Sequence, residues 1–227
     1  MNDEPFAHQA AVYDPPPDRG LQPIYLDEHL LVVDKPSGLL TVPGRGEHLQ
    51  DCLIHRVQRH VPEALIVHRL DMATSGLVLL ARGGDMQRAL SGLFMHRQVD
   101  KRYVALVQGI VPDDEGEIDL PLITDWPSRP RQMVDRVHGK PSQTRYRVLM
   151  RDTVLGRSRL DLMPLTGRSH QLRVHCLAIG HPILGDPLYG PDASRQACER
   201  LMLHATALSL PHPVSGERLD VRSVNPF

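Results

Sequence analysis

Lysine is nearly absent from this chain of 227 residues, which holds 3 lysines against 23 arginines. The guanidinium is a planar fork that suits phosphates and stacks on bases, although a coding genome biased towards Arg codons gives the same excess. Cysteine is scarce as well. Cys52, Cys176 and Cys198 are odd in number, far apart and without a CxxC pair, which excludes a disulfide framework and a Cys-rich zinc site. His170 and His175 stand five apart with no glutamate in an HExxH arrangement, so the histidines do not form a metalloprotease motif, and no metal is expected. No apolar run approaches the ~18 residues of a membrane span, and the N-terminus lacks a charged start followed by an apolar block. A cytoplasmic location is the expectation.

Net charge is missing too, at -1, which at first counts against an RNA or DNA partner. The distribution reads differently. Residues 1–34 carry -6 and residues 113–119 carry -5, which leaves +10 on the rest. Hydrophobic residues make up 41% of the chain, enough to bury a core in one large domain or two small ones.

Residues 1–22 contain Pro5, Pro15, Pro16 and Pro17 and few large apolar side chains, so they are expected to be a flexible tail. From Pro23 the pattern predicts two short strands joined at Asp27 to His29 and a turn around Lys35 to Gly38. A helix capped by Asp51 buries Leu53, Ile54 and Val57. A second helix starts at Gly83 to Asp85, with Leu90, Leu93 and Phe94 inward. Strands follow at 101–108 and 118–122, then a basic, proline-containing loop from Trp126 to Lys140. A hairpin occupies 143–150 and 158–163, and a helix from Thr166 to Gly180 is stopped by its glycine. A short helix over 193–200 and strands at 201–210 and 219–222 close the chain. This is an α/β pattern of the α+β type, a single domain over 23–227 whose extended mixed, largely antiparallel sheet carries helices on its faces.

The most informative stretch is Val67 to Ala81, VHRLDMATSGLVLLA. Two apolar runs bracket a polar loop whose one acid is Asp71, and loops held between stiff elements are where chemistry sits. An ordinary turn in which Asp71 accepts the Thr74 or Ser75 amide reads equally well from spacing alone.

Three polar clusters interrupt core-like elements: His68, Arg69 and Asp71; Lys101, Arg102 and Tyr103; and Gly167, Arg168, His170, Gln171, Arg173 and His175. With their neighbours, HRLDMATSG, KRYVALV, TGRSHQLRVH and HPILGD, they resemble the pseudouridine synthases of the RluA family, from about Pro23 to the C-terminus. DLPLITDWPSRPRQ, GKPSQTRY and LTGRSHQLRVH are similar to the subtype that gives the family its name. The resemblance implies isomerisation of uridines in large-subunit ribosomal RNA and in a tRNA anticodon stem-loop, with no cofactor. The stretch before Pro23 is too short for the S4-type domain of several relatives, so none is expected.

The resemblance also implies roles. Asp71 is the essential carboxylate, acting as nucleophile or acid/base group, and Arg173 is its ion-pair partner. Tyr103 stacks on the uracil and accepts or relays the C5 proton. Arg69 fills the stack vacated by the flipped nucleotide. Leu203 is the apolar wall beneath the base, and His68, Arg168 and Gln171 complete the expected substrate-binding set, with His170, Gln171 and His175 bracing helix and loop. Two rivals remain: a nucleoside hydrolase, which needs a second carboxylate ~5–9.5 Å from the first, and a non-catalytic RNA-binding or ribosome-assembly factor.

Overall fold

A computed structural model describes residues 13–227. Strands β1 (Pro23–Leu26) and β2 (Leu30–Lys35) form the first hairpin, and helix α1 (Leu53–Gln58) leads to β3 (Ala64–Ile66) and β4 (Ser75–Arg82). Helix α2 (Gly84–Met95), β5 (Asp100–Gln108), β6 (Glu115–Asp119), β7 (Leu122–Thr124) and β8 (Gln132–Val134) follow. The chain continues through β9 (Gln143–Asp152), β10 (Arg157–Pro164), α3 (Gln171–Ala178), α4 (Asp192–Gln196), β11 (Leu203–Pro211) and β12 (Arg218–Arg222). The main sheet runs β1-β2-β4-β11-β5-β10-β9-β6, with β12 beside β11 and β3 beside β4. Among the described residues only β4 and β11 pair in parallel, so the sheet is mixed and largely antiparallel, as the sequence pattern predicts.

Strand β4 reads as an unbroken apolar run because both its faces are covered. Val78 and Leu80 pack with Leu53, Ile54 and Val57 of α1 on one side. Leu77, Leu79 and Ala81 pack with Leu90 of α2 and Leu208 and Leu210 of β11 on the other. A further core joins Ala105 and Val107 of β5, Leu160 and Leu162 of β10, Leu203 of β11, and Leu172 and Cys176 of α3. Tyr103 packs against the α1 side and the α3 side alike, at the seam between these two cores.

The structure departs from the sequence expectations in several places. The strand expected at 118–122 is divided between β6, which ends at Asp119, and β7, which begins at Leu122, and the helix expected over 193–200 is α4, ending at Gln196. Residues 1–12 of the expected tail lie outside the described residues. Residues 13–22 form no helix or strand, yet they are fastened down: Tyr13 donates to the Asp51 carbonyl at 2.7 Å, and Arg56 donates to the Pro16 carbonyl at 2.7 Å. Asp51 does not cap α1. It binds Arg56 one turn on, with both bonds at 2.7 Å, and the residue at the helix start is Cys52. The loop from Trp126 to Lys140 contains β8, which closes a two-stranded ribbon with β7; Trp126, 62% exposed, lies under the Arg129 guanidinium at 3.9 Å. The helix expected from Thr166 begins only at Gln171 and ends at Ala178, because His170 sits in the left-handed region at φ +53°. Finally, the acidic run is matched across the sheet edge. Glu117 meets Arg145 at 3.0 Å, Glu115 meets Arg147 at 3.8 Å and Asp114 meets Arg151 at 2.8 Å, so part of the basic surplus is spent there.

The β4–β11 junction positions the site. Gly76 lies against Ala205 at φ +112°, and a Cβ there would stand 2.3 Å from the Ala205 carbonyl oxygen and 2.5 Å from its nitrogen. Only glycine allows this approach. It draws the Asp71 loop, which enters β4, alongside the chain entering β11. Gly76→Ala is expected to cost about 2 kcal/mol or more, seen as a lower urea midpoint. Gly156→Ala, at φ +59° with nothing within 4 Å, is expected to cost about 1 kcal/mol.

Candidate active site

A cleft of about 1160 Å³ opens where the β3–β4 loop, β5, the β10–α3 loop, α3 and the start of β11 converge. Asp71, Tyr103, Arg173, His68, Arg69, Arg168, Gln171 and Leu203 all line it. Residues remote in sequence thus share one wall system.

The backbone around Asp71 is anchored on both sides. The Leu70 carbonyl accepts from the Thr41 hydroxyl at 2.7 Å, and the Met72 carbonyl accepts from Gly38 N–H at 2.9 Å and from Lys35 Nζ at 3.0 Å. The Ser37 hydroxyl donates to the Ala73 carbonyl at 2.6 Å. The turn itself is closed by Thr74 N–H on the backbone carbonyl of Asp71 at 3.1 Å. The ordinary turn that the spacing allows is therefore present, made through the backbone carbonyl of Asp71, and it leaves the carboxylate uncommitted. Lys35 is fully buried and also donates to the Leu39 and Pro36 carbonyls. Burial pulls its pKa down to about 7 against the opposing pull of the Asp71 charge.

Arg173, 3% exposed, is gripped by Asp186 through Nε at 2.8 Å and Nη2 at 2.7 Å. Its remaining nitrogen, Nη1, faces Asp71 Oδ2 at 3.4 Å. Burial, the largest single influence, works against the guanidinium charge, but the Asp186 bonds together with the Asp186 and Asp71 charges more than offset it and the pKa is raised, so Arg173 remains a cation. The ion pair expected between Arg173 and Asp71 therefore exists in a loose form, and the tight pair is with Asp186. Oδ1 of Asp186 also accepts the Leu188 and Tyr189 amides at 2.9 and 3.2 Å, so this carboxylate spends four hydrogen bonds on protein. The second free carboxylate that a hydrolase requires is not supplied by Asp186.

His170 Nε2 stands 3.9 Å from Asp71 Oδ2, and its Nδ1 lies 2.7 Å from the Tyr189 hydroxyl. Tyr103 is half-buried, and its hydroxyl has no protein partner among the described residues. Burial, then the Asp71 charge, pushes that phenol far above its ordinary value, so it keeps its proton.

Two residues expected to bind substrate are occupied otherwise. Gln171 is buried, with Oε1 accepting from the Thr166 hydroxyl at 2.7 Å and from Arg168 N–H at 3.0 Å. Its Nε2 donates to the Gln143 carbonyl at 2.9 Å and the Thr144 hydroxyl at 3.0 Å. All four of its hydrogen-bonding positions are filled, so it ties the β10–α3 loop to β9. His68 accepts the Leu79 N–H at 2.9 Å and stacks on Phe94 at 4.6 Å. Arg69 and Arg168 are exposed, Arg69 with no hydrogen bond or ion pair among the described residues and Arg168 holding only the Pro141 carbonyl through Nε at 3.3 Å. Leu203, 3% exposed, packs with Leu162 and Leu172 at the cleft wall. Sequence reasoning passed over Lys35, Asp186 and Tyr189. The signal for Asp186 was its position as the sole acid of the stretch 179–191.

A family model described as RNA pseudouridylate synthase matches residues 29–178, which include Asp71, Tyr103 and Arg173. The dual-specificity RNA pseudouridine synthase RluA of Escherichia coli K12 is 47% identical over 95% of this chain and 98% of its own length. The protein of that name from Yersinia pestis is 51% identical over 85% of this chain and 93% of its own. The chain belongs to the RluA family of RNA pseudouridine synthases. Human RNA pseudouridylate synthase domain containing 1 superposes with a TM-score of 0.78 at 30% identity, covering 94% of this chain and 87% of that one. Like its family, this pseudouridine synthase is an isomerase that converts uridine to pseudouridine in RNA. No helix among the described residues is long and apolar enough to cross a membrane.

The brace under the synthase site carries a pH signature. Burial, and secondarily the Lys101 charge, push the His68 pKa from 6.5 down to about 3. Below pH 6.5 the unfolded chain takes a proton that the folded one refuses, so stability falls as pH drops through that window towards 3. The expected loss from this group is on the order of 1 kcal/mol per pH unit, read from urea midpoints between pH 7.5 and 4.5. His68→Gln should flatten the slope.

Proposed function

We propose that Asp71 is the reacting carboxylate of this synthase and that its substrates are uridines in large-subunit ribosomal RNA and in a tRNA anticodon stem-loop. Residues 23–227 serve as the whole catalytic unit, acting as a monomer in the cytoplasm. The observation that carries the reading is the Asp71 carboxylate, free of its own loop, facing a locked guanidinium in a cleft walled by Tyr103 and Leu203.

Isomerisation breaks the bond from ribose to uracil N1, turns the ring and joins C5 to the sugar, after which C5 loses a proton and N1 gains one, so composition and charge are unchanged. No electrons are gained or lost, so neither a redox cofactor nor an external energy source is required. The work asked of the protein is a carboxylate at the sugar or base, a place for the ring to turn without escaping, and a path for one proton. Attack on the sugar carbon, addition to the ring and proton removal to form a glycal all begin at Asp71. Tyr103 stacks on the ring and, keeping its phenolic proton, serves as a relay rather than as a standing phenolate.

A stacked or paired uridine is out of reach, so the nucleotide leaves its stack. Exposed and unpaired among the described residues, Arg69 supports the role of filling the gap by its guanidinium plane. Arg168 and Arg97 on the cleft margin supply phosphate contacts.

Asp71→Asn is expected to lower pseudouridine formation at least ~10³-fold while RNA affinity stays within about twofold. Turnover near the wild-type rate would remove Asp71 from the chemistry, and release of free uracil by the wild type would point to a hydrolase. Arg173→Met should slow turnover about 100-fold or more. Mapping modified uridines in RNA from cells with and without the gene tests the two RNA classes.

A further inference from the structure

The environment of His170 is used by none of the roles above. Tyr189 is 1% exposed, and its hydroxyl oxygen accepts the Gln132 N–H of β8 at 2.7 Å. Its only other hydrogen-bond partner among the described residues is Nδ1 of His170, also at 2.7 Å. The one Tyr189 proton goes to Nδ1, because a buried hydroxyl proton left without an acceptor forfeits its solvation with nothing in return. Nδ1 is then the acceptor, and the imidazole proton sits on Nε2, the atom facing Asp71 Oδ2 at 3.9 Å.

The charges around the ring are Asp71, Asp186 and Arg173, with the Tyr189 hydroxyl as the neighbouring neutral group. Burial outweighs the pull of the two carboxylates, so the ring is held neutral. The ring reaches this place through a left-handed backbone at φ +53°, a strained conformation for a residue with a side chain. Continuing α3 by one more residue would avoid that cost. Arg173 Nη1 also addresses Oδ2, at 3.4 Å, whereas Oδ1 of Asp71 has no partner among the described residues.

Building on Asp71 as the reacting group, we infer that His170 is a positioning residue whose Nε2–H, fixed in that tautomer by Tyr189, joins Arg173 in pinning Oδ2 so that Oδ1 is the oxygen presented to substrate. The 3.9 Å separation is longer than a hydrogen bond and closes when substrate seats the carboxylate. Gln132 belongs to the β7–β8 ribbon, so the seating of that ribbon sets the donor beside Asp71 through Tyr189.

The test combines single-turnover kinetics on a stem-loop RNA with ¹⁵N NMR of the histidine rings, the His170 signals being assigned by their loss in His170→Gln. Wild type is expected to show an unprotonated Nδ1 and a protonated Nε2 at pH 7. His170→Ala should lower the single-turnover rate 10- to 100-fold with RNA affinity unchanged. His170→Gln, which offers a neutral N–H of similar reach, should recover part of that rate. Tyr189→Phe should mix the tautomers and fall between. A proton on Nδ1, an imidazolium at pH 7, or His170→Ala at the wild-type rate overturns the inference. The NMR result on the wild type stands even if a variant fails to fold, and activity of Asp71→Asn would separately overturn the reading of Asp71.

Discussion

The interaction on which the rest depends is the buried pair of Arg173 with Asp186. Both side chains are almost wholly withdrawn from water, at 3% and 1% exposure, and two parallel bonds join them. Breaking such a pair from one side leaves an uncompensated charge in a low dielectric, a cost of about 3–5 kcal/mol. The pair also fixes the one guanidinium nitrogen left over. Because Nε and Nη2 are spent on Asp186, the plane cannot turn, and Nη1 is delivered to Asp71 at 3.4 Å. The Tyr189 ring, 5.0 Å from the guanidinium carbon, covers its face. A cation held this way stabilises charge without having to reorganise when charge develops.

The same division runs through the whole site. Gln171, Lys35 and His175, behind the cleft, bond to protein groups, whereas several groups facing the cleft are left without protein partners. Gln171, His68 and Lys35 hold loops in place with every bond directed at protein. His175 does likewise, reaching the Thr144 hydroxyl and the Leu120 carbonyl at 3.0 Å each. Asp71 Oδ1, the Tyr103 hydroxyl and the Arg69 guanidinium are among the cleft groups left without a protein partner in the described residues. A site arranged in this way is rigid where it is anchored and reactive where it is open, as pre-organised catalysis requires.

Much of this was legible in the residues. The apolar run of β4, the hairpin of β9 and β10 and the inward face of α2 announce themselves by period and turn chemistry. Three polar clusters interrupting core-like elements marked the site, and the cleft gathers all three. Other features were hidden because they depend on partners far away in the chain. The start of α3 is displaced from Thr166 to Gln171 by the left-handed turn at His170, and the Gln171 side chain ties the preceding loop to β9, which no local pattern encodes. Asp51 looked like a cap and is instead a clamp for Arg56, which also holds the segment at Pro16. The acidic segment looked like a separate field, yet register places its carboxylates opposite the arginines of β9.

What the sequence alone determined is the chemistry carried: an acid in a polar loop between buried strands, a tyrosine on a strand and an arginine on a helix, in motifs specific enough to identify the family. Element type followed as well, since it rests on local period and on the few residues that punctuate it. Only the tertiary structure decided which groups are free to react. Whether Arg173 belongs first to Asp186 or to Asp71, whether Gln171 faces substrate or protein, and which nitrogen of His170 bears the proton are settled by atoms brought together from distant parts of the chain. A side chain's chemistry is its own, but its availability is whatever its neighbours leave unused.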